Sequence, residues 1–183
     1  MRAREFTDVG VPLVYLRRMT EAGDLVRLGR GLYQDPERSG EDIAHDLAEA
    51  ARLVPQGVIS LVSALRQHGL TTQLPSAVWM TIPNKSRTPS PADLHLQIVR
   101  ATGQAFSAGI EHVQIEGVHV PIYGVAKTVA DCFKHRRQVG EDVAIEALRD
   151  ALAQRKATPD ELMKFAAIDR VTRQMEPLIK AML

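Results

Sequence analysis

The sequence predicts an α+β protein in two parts, and three patterns predict it. A short helix-and-hairpin pattern fills residues 2–35, strand-like runs recur between 77 and 123, and helical periodicity governs everything after Val125. The chain has 183 residues, 45% of them hydrophobic and 25% charged, enough for a sizeable core. Aromatic content of only 4% makes that core one of Leu, Val, Ile and Ala. A net charge of +1 excludes a uniformly basic DNA-coating protein, so any nucleic-acid contact belongs to a local patch. Cys132 is the single cysteine, which excludes an intramolecular disulfide framework and fits a reducing cytoplasm. No run of about 18 apolar residues is present, and residues 1–10 contain no apolar h-region. The expectation is a cytoplasmic protein without a membrane partner.

The first part is built from small pieces. Residues 2–9 read as a short helix closed by Gly10, and Pro12 stands where a first helical residue tolerates a missing N–H. Over 12–22 the helical phase puts Leu13, Leu16 and Met19 on one side, with Val14, Arg17, Arg18 and Glu21 on or near the other, and Gly23 ends the helix. Leu25-Val26 and Leu32-Tyr33 flank a Gly29-Arg30-Gly31 turn, which reads as a hairpin. Helix, turn, helix and hairpin in that order predict a winged helix-turn-helix over 1–38.

A recognition helix buries one face and offers the other to the major groove. Val14, Tyr15, Arg17 and Arg18 meet that need. Arg pairs bidentately with guanine, and Tyr or Val touches a thymine methyl. Arg27 and Arg30 on the wing are placed for phosphate or minor-groove contact. The competing interpretation is ordinary solvated arginines, because Glu21 and Asp24 lie close by.

Residues 39–55 read as a linker helix with Ile43, Leu47, Ala50, Ala51 and Val54 turned inward and Pro55 as the stop. The second domain, 56–183, opens with a helix capped by Ser60 and ended by Gly69. Strands follow at 77–83, 94–100, 111–116 and 118–123, the last two forming a tight hairpin about Gly117. Between the first two lies a polar loop carrying Lys85 and Arg87. Helices at 125–137, 141–154, 158–168 and 171–183 make a C-terminal bundle, and Thr158-Pro159-Asp160-Glu161 is a strong helix start.

No coherent catalytic set emerges. The six histidines lack helical metal-ligand spacing, and His112 and His119 on facing strands need further ligands to make a zinc site. Cys132 falls in an apolar phase with Val129 and Phe133, as a buried thiol does, and Ser63 and His68 have no nucleophile–base spacing. No Walker loop occurs, and the strand acids Glu111 and Glu116 do not make a nuclease set. The expectation is no enzyme, no metal and no cofactor. The run 127–137 places Lys127, Asp131, Lys134 and Arg137 on or near one face. Lys127 and Asp131 form an i,i+4 pair, and Lys134, Arg136 and Arg137 suit a helix C-terminus. The functional alternative is a second basic surface made of these five residues.

The stretch VPLVYLRRMTEAGDLVRLGRGLYQDP resembles the N-terminal winged helix of AbiEi-family antitoxins from type IV toxin–antitoxin systems, in its YL-x-R helix and GRGLY wing. VISLVSALRQHGLT, VWMTIP and VPIYGVAKTVADCFKHRRQVGEDVAIEALRDAL resemble that family's C-terminal antitoxin domain. The resemblance implies a transcriptional repressor that binds inverted repeats in operator DNA and autoregulates its operon. It also implies antagonism of a nucleotidyltransferase-like toxin, with or without a stable complex, carried by the C-terminal domain. It further implies one more helix ahead of RAREFTDVG, so the winged helix is expected here without its first helix, with 43–54 as a candidate substitute. The alternative is a protein-interaction or antitoxin module whose winged helix is vestigial and does not bind DNA on its own. Reading an inverted repeat takes two copies of one head, and the sequence leaves the oligomeric state open.

Overall fold

Period-two alternation sets the main sheet, and the helices cover its two faces. The structure, a computed structural model, describes residues 6–7, 10–29, 32–34, 43–73, 75–87 and 94–183. The elements are α1 (Leu13–Ala22), β1 (Val26–Gly29), β2 (Leu32–Gln34), α2 (Ile43–Leu53), β3 (Val58–Ile59), α3 (Leu61–Gln67), β4 (Val78–Pro83) and β5 (Leu96–Ala101). They continue with α4 (Gln104–Ser107), β6 (Ile110–Ile115), β7 (Val118–Tyr123), α5 (Val125–Lys134), α6 (Arg136–Val139), α7 (Glu141–Ala153), α8 (Pro159–Asp169) and α9 (Thr172–Met182).

Five strands form a mixed sheet in the order β5-β4-β3-β7-β6. The β4–β5 and β3–β7 pairs are parallel, and β3–β4 and β6–β7 are antiparallel. Val78, Met80 and Ile82 of β4 join Val120 and Ile122 of β7 on one face, where they pack against Leu47, Ala48, Ala50, Ala51 and Val54 of α2. Trp79 and Val99, one residue out of phase, belong to the opposite core with Leu61 and Leu65 of α3 and the helices α5, α7, α8 and α9. The helix expected as a linker over 39–55 is therefore integral to the larger domain. Its apolar face has a sheet to cover, which an isolated linker would lack.

The hairpin about Gly117 forms as expected, in register from Ile110↔Tyr123 to Ile115↔Val118. Glu116 and Gly117 both take positive φ, 49° and 74°, the geometry of a two-residue type I′ turn. Glu116 is a costly residue there, and its carboxylate is held by His45 Nδ1 of α2 at 2.8 Å. The helix start at Thr158 also stands. Its hydroxyl accepts from the Glu161 N–H while the Glu161 carboxylate accepts from the Thr158 N–H, with Pro159 first in the helix. Ser60 occupies the cap position of α3, but its hydroxyl is buried and makes no capping bond. The helix expected over 125–137 is two, broken at His135, whose φ −101° and ψ 20° leave the helical region. Neither β3 nor α4 was expected.

In the N-terminal part, α1 follows Pro12 and ends at Gly23, whose φ is +86° and whose N–H donates to the Thr20 carbonyl. Strands β1 and β2 pair antiparallel with a register break between Arg27 and Gly29. Phe6 and Thr7 are helical, and the Phe6 ring meets Tyr33 of β2 edge-on at 6.2 Å. The remainder of the helix expected over 2–9 lies outside the described residues, as do Arg30 and Gly31 of the turn.

Candidate functional site

Helix α1 is amphipathic around Leu16, which is fully buried. Val14 and Tyr15 are 58% and 50% exposed, and Arg17 and Arg18 are exposed beside them. The Arg18 guanidinium carbon lies 5.8 Å from the Tyr15 ring centroid, within cation–π range. The sequence-predicted helix contacts thus share one solvent-facing surface. Arg27 lies in β1, and Arg30 falls outside the described residues.

The second basic surface divides differently. Lys127 is wholly buried and Asp131 is 5% exposed, so neither belongs to a surface. Lys127 Nζ donates to Asp131 Oδ1 at 2.5 Å and to Asp169 Oδ2 at 2.9 Å, and it lies 4.8 Å from the Tyr123 ring centroid. Lys134 Nζ donates to Asp169 Oδ1 at 3.2 Å. The expected i,i+4 pair exists, but helix α8 covers it and brings Asp169 as a second carboxylate. With both carboxylates ionised, the two lysines and two carboxylates make a cluster without net charge, the condition under which burial is tolerable.

Electrostatics at this cluster follow from the missing water. Burial pushes the Asp131 carboxyl up to about 7 against the pull of Lys127, and among the described residues Asp131 Oδ2 has no hydrogen-bond partner. Burial, then Asp131 and Asp169, push the Tyr123 phenol up, so it stays neutral and donates to the Phe106 carbonyl at 2.6 Å. Burial also pushes the Cys132 thiol up, with Asp131 adding to it. His135 is held below its ordinary value by burial and by Lys134. A fully enclosed lysine of this kind braces α5 against α8.

Sequence reasoning missed Asp169 and Tyr123. Asp169 had a signal, since it shares the buried phase of its helix with Leu162 and Ala166 and a buried carboxylate requires a cation. The remaining candidates are engaged in local hydrogen bonds, some buried and some exposed. Ser63 Oγ accepts from the Trp79 N–H at 2.9 Å, while His68 Nε2 bonds the Tyr123 carbonyl at 2.7 Å. His119 Nε2 faces the Gln114 amide at 3.1 Å. Arg100 donates to the carbonyls of Asn84 and Ser86, pinning the loop that carries Lys85 and Arg87. Among the described residues no three His, Cys, Asp or Glu groups are placed to hold a metal ion, and no helix is long and apolar enough to cross a membrane.

Comparison with known proteins centres on the segment that contains α1 and the hairpin. Residues 2–34 match the family of AbiEi antitoxin transcriptional regulators. The match ends at β2, so it covers the exposed α1 face and the turn but not the sheet domain. Across the chain, the fold is similar to the crystal structure of the RV2827C protein from Mycobacterium tuberculosis, with a TM-score of 0.62 and 17% identity. That similarity covers 86% of this chain and 60% of the other, so this chain spans less than two thirds of that protein's length. At this identity the likeness is one of fold, a mixed α+β architecture. No curated protein matches the sequence.

Proposed function

We propose that the protein is a sequence-specific DNA-binding repressor that acts as the antitoxin of a toxin–antitoxin pair and regulates its own operon. One observation carries the reading. Val14, Tyr15, Arg17 and Arg18 are exposed together on α1 while Leu16 is fully buried behind them, inside the segment matched to AbiEi regulators. In this reading residues 1–38 are a winged helix-turn-helix and α1 enters the major groove. Arg18, oriented over Tyr15, reads a base edge, and Arg27 and Arg30 hold phosphates from the wing. The larger domain acts on a nucleotidyltransferase-like toxin and performs no chemistry itself.

The test is binding of the full chain to the duplex upstream of its own reading frame, measured against a scrambled duplex. Arg18→Ala is expected to weaken specific binding by about 1–3 kcal/mol, the value of one bidentate base contact. Equal affinity for both duplexes would leave the alternative, an interaction module using the exposed Val14 and Tyr15 on a protein partner.

A further inference from the structure

The break between α5 and α6 leaves a concave basin open to solvent, lined by Lys134, His135, Arg136, Arg137 and Gln138, with a volume of about 310 Å³. Its charge balance is one-sided. Asp169 is the carboxylate within reach of Lys134, and its two oxygens are already taken, one by each lysine. Arg136 is fixed by donating from Nη1 to the Phe133 carbonyl at 2.9 Å, a neutral acceptor. Among the described residues no carboxylate lies within ion-pair distance of Arg136 or Arg137. Among the described residues the guanidinium groups of these two sequence neighbours therefore remain without an ion-pair partner, beside a lysine with further N–H groups to donate and the Gln138 amide.

We propose that this basin binds the terminal phosphoryl group of a small phosphorylated ligand. A phosphoryl dianion offers three strong acceptor oxygens, which suits a hollow lined by several donor-bearing residues. An extended phosphodiester backbone carries one charge per unit and is best served by a stripe of cations. Here the chain turns acidic immediately after the basin, at the exposed Glu141 and Asp142 that open α7. Lys134 and Arg136 are held in place before any ligand arrives, so little side-chain freedom is lost on binding. His135 forms part of the wall and serves as a reporter. Burial first, and then Lys134 and Lys127, hold its proton affinity down while Asp169 opposes them, and an arriving anion adds to the opposing side.

Pyrophosphate is the probe, titrated into the full-length protein while the His135 ring resonance is followed by NMR. Saturable binding is expected, with the His135 pKa rising on saturation. Arg136→Gln with Arg137→Gln is expected to weaken binding by about tenfold or more through lost charge-assisted hydrogen bonds. Arg137→Gln alone, at an exposed position, is expected to show part of that loss without altering the melting temperature. Arg18→Ala is expected to leave pyrophosphate binding unchanged, which separates this site from the proposed operator contact. Absence of saturable binding, or equal affinity in the double variant, would overturn the proposal. So would an oligonucleotide that displaces pyrophosphate and binds the basin more tightly, since the ligand would then be a nucleic-acid backbone.

Discussion

Replacing Lys127 with methionine tests the buried cluster that holds α5 to α8. Methionine approximates the volume of the lysine stem, so the cavity term is small and the effect is electrostatic. Asp169 keeps Lys134 at 3.2 Å after the substitution. Among the described residues Asp131 keeps no hydrogen bond, because Oδ1 loses Lys127 and Oδ2 already lacks a partner, and only the attraction of Lys134 still favours its charged form. One buried carboxylate is stranded, at a cost of about 3–5 kcal/mol. Asp131→Asn removes charge from the same pair but leaves Lys127 with Asp169, and its expected cost is about 1–2 kcal/mol. Joining Asp131→Asn to Lys127→Met is then expected to restore stability relative to Lys127→Met alone.

The pH dependence has a definite sign. Asp131 is already pushed up to about 7, and losing Lys127 raises it further. A carboxyl raised above its unfolded value contributes stability that is fully present below that value and is lost as pH climbs through the folded one. The cost of Lys127→Met is therefore expected to be greater at about pH 8.5 than at about pH 6. Urea denaturation of the single and double variants at both pH values measures all of this. A cost below about 1 kcal/mol, or one that shrinks with rising pH, would refute the reasoning.

Three further outcomes are expected. Gly109 has φ +76°, and a Cβ there would lie 2.8 Å from Lys127 Cβ and 2.9 Å from the Phe165 ring. Gly109→Ala is accordingly expected to cost about 2–4 kcal/mol in chemical denaturation. Thr158→Ala removes the hydroxyl half of the capping box, leaving the Glu161 carboxylate on the backbone N–H of residue 158, and is expected to cost about 1 kcal/mol in thermal unfolding. Cys132 is buried with its thiol pushed up, so an aromatic disulfide reagent is expected to react with it only as fast as the protein unfolds.

What was legible in the sequence was local. The β6–β7 hairpin and the Thr158 start were readable because a Glu-Gly turn and a capping box are decided by residues within reach of one another. The α1 face was readable for the same reason, through helical phase around Leu16. What escaped depended on distant partners. Helical phase placed Lys127 and Asp131 on one face, but only packing against α8 decides that this face is interior. Helix α2 was correctly given an inward side, yet the sheet it covers comes from strands as far away as β7. The interruption at His135 has no proline or glycine to announce it, and β3 is two residues long, too short for alternation to register.

The proposed repressor function requires α1 to read bases, and guanine methylation interference on the upstream duplex tests that directly. The full chain is expected to be blocked by methylation at particular major-groove guanines within an inverted repeat, and Arg18→Ala is expected to lose that sensitivity at one symmetry-related pair while keeping the others. A chain that binds with no guanine sensitive to methylation, or an Arg18→Ala variant with an unchanged interference pattern, would contradict it.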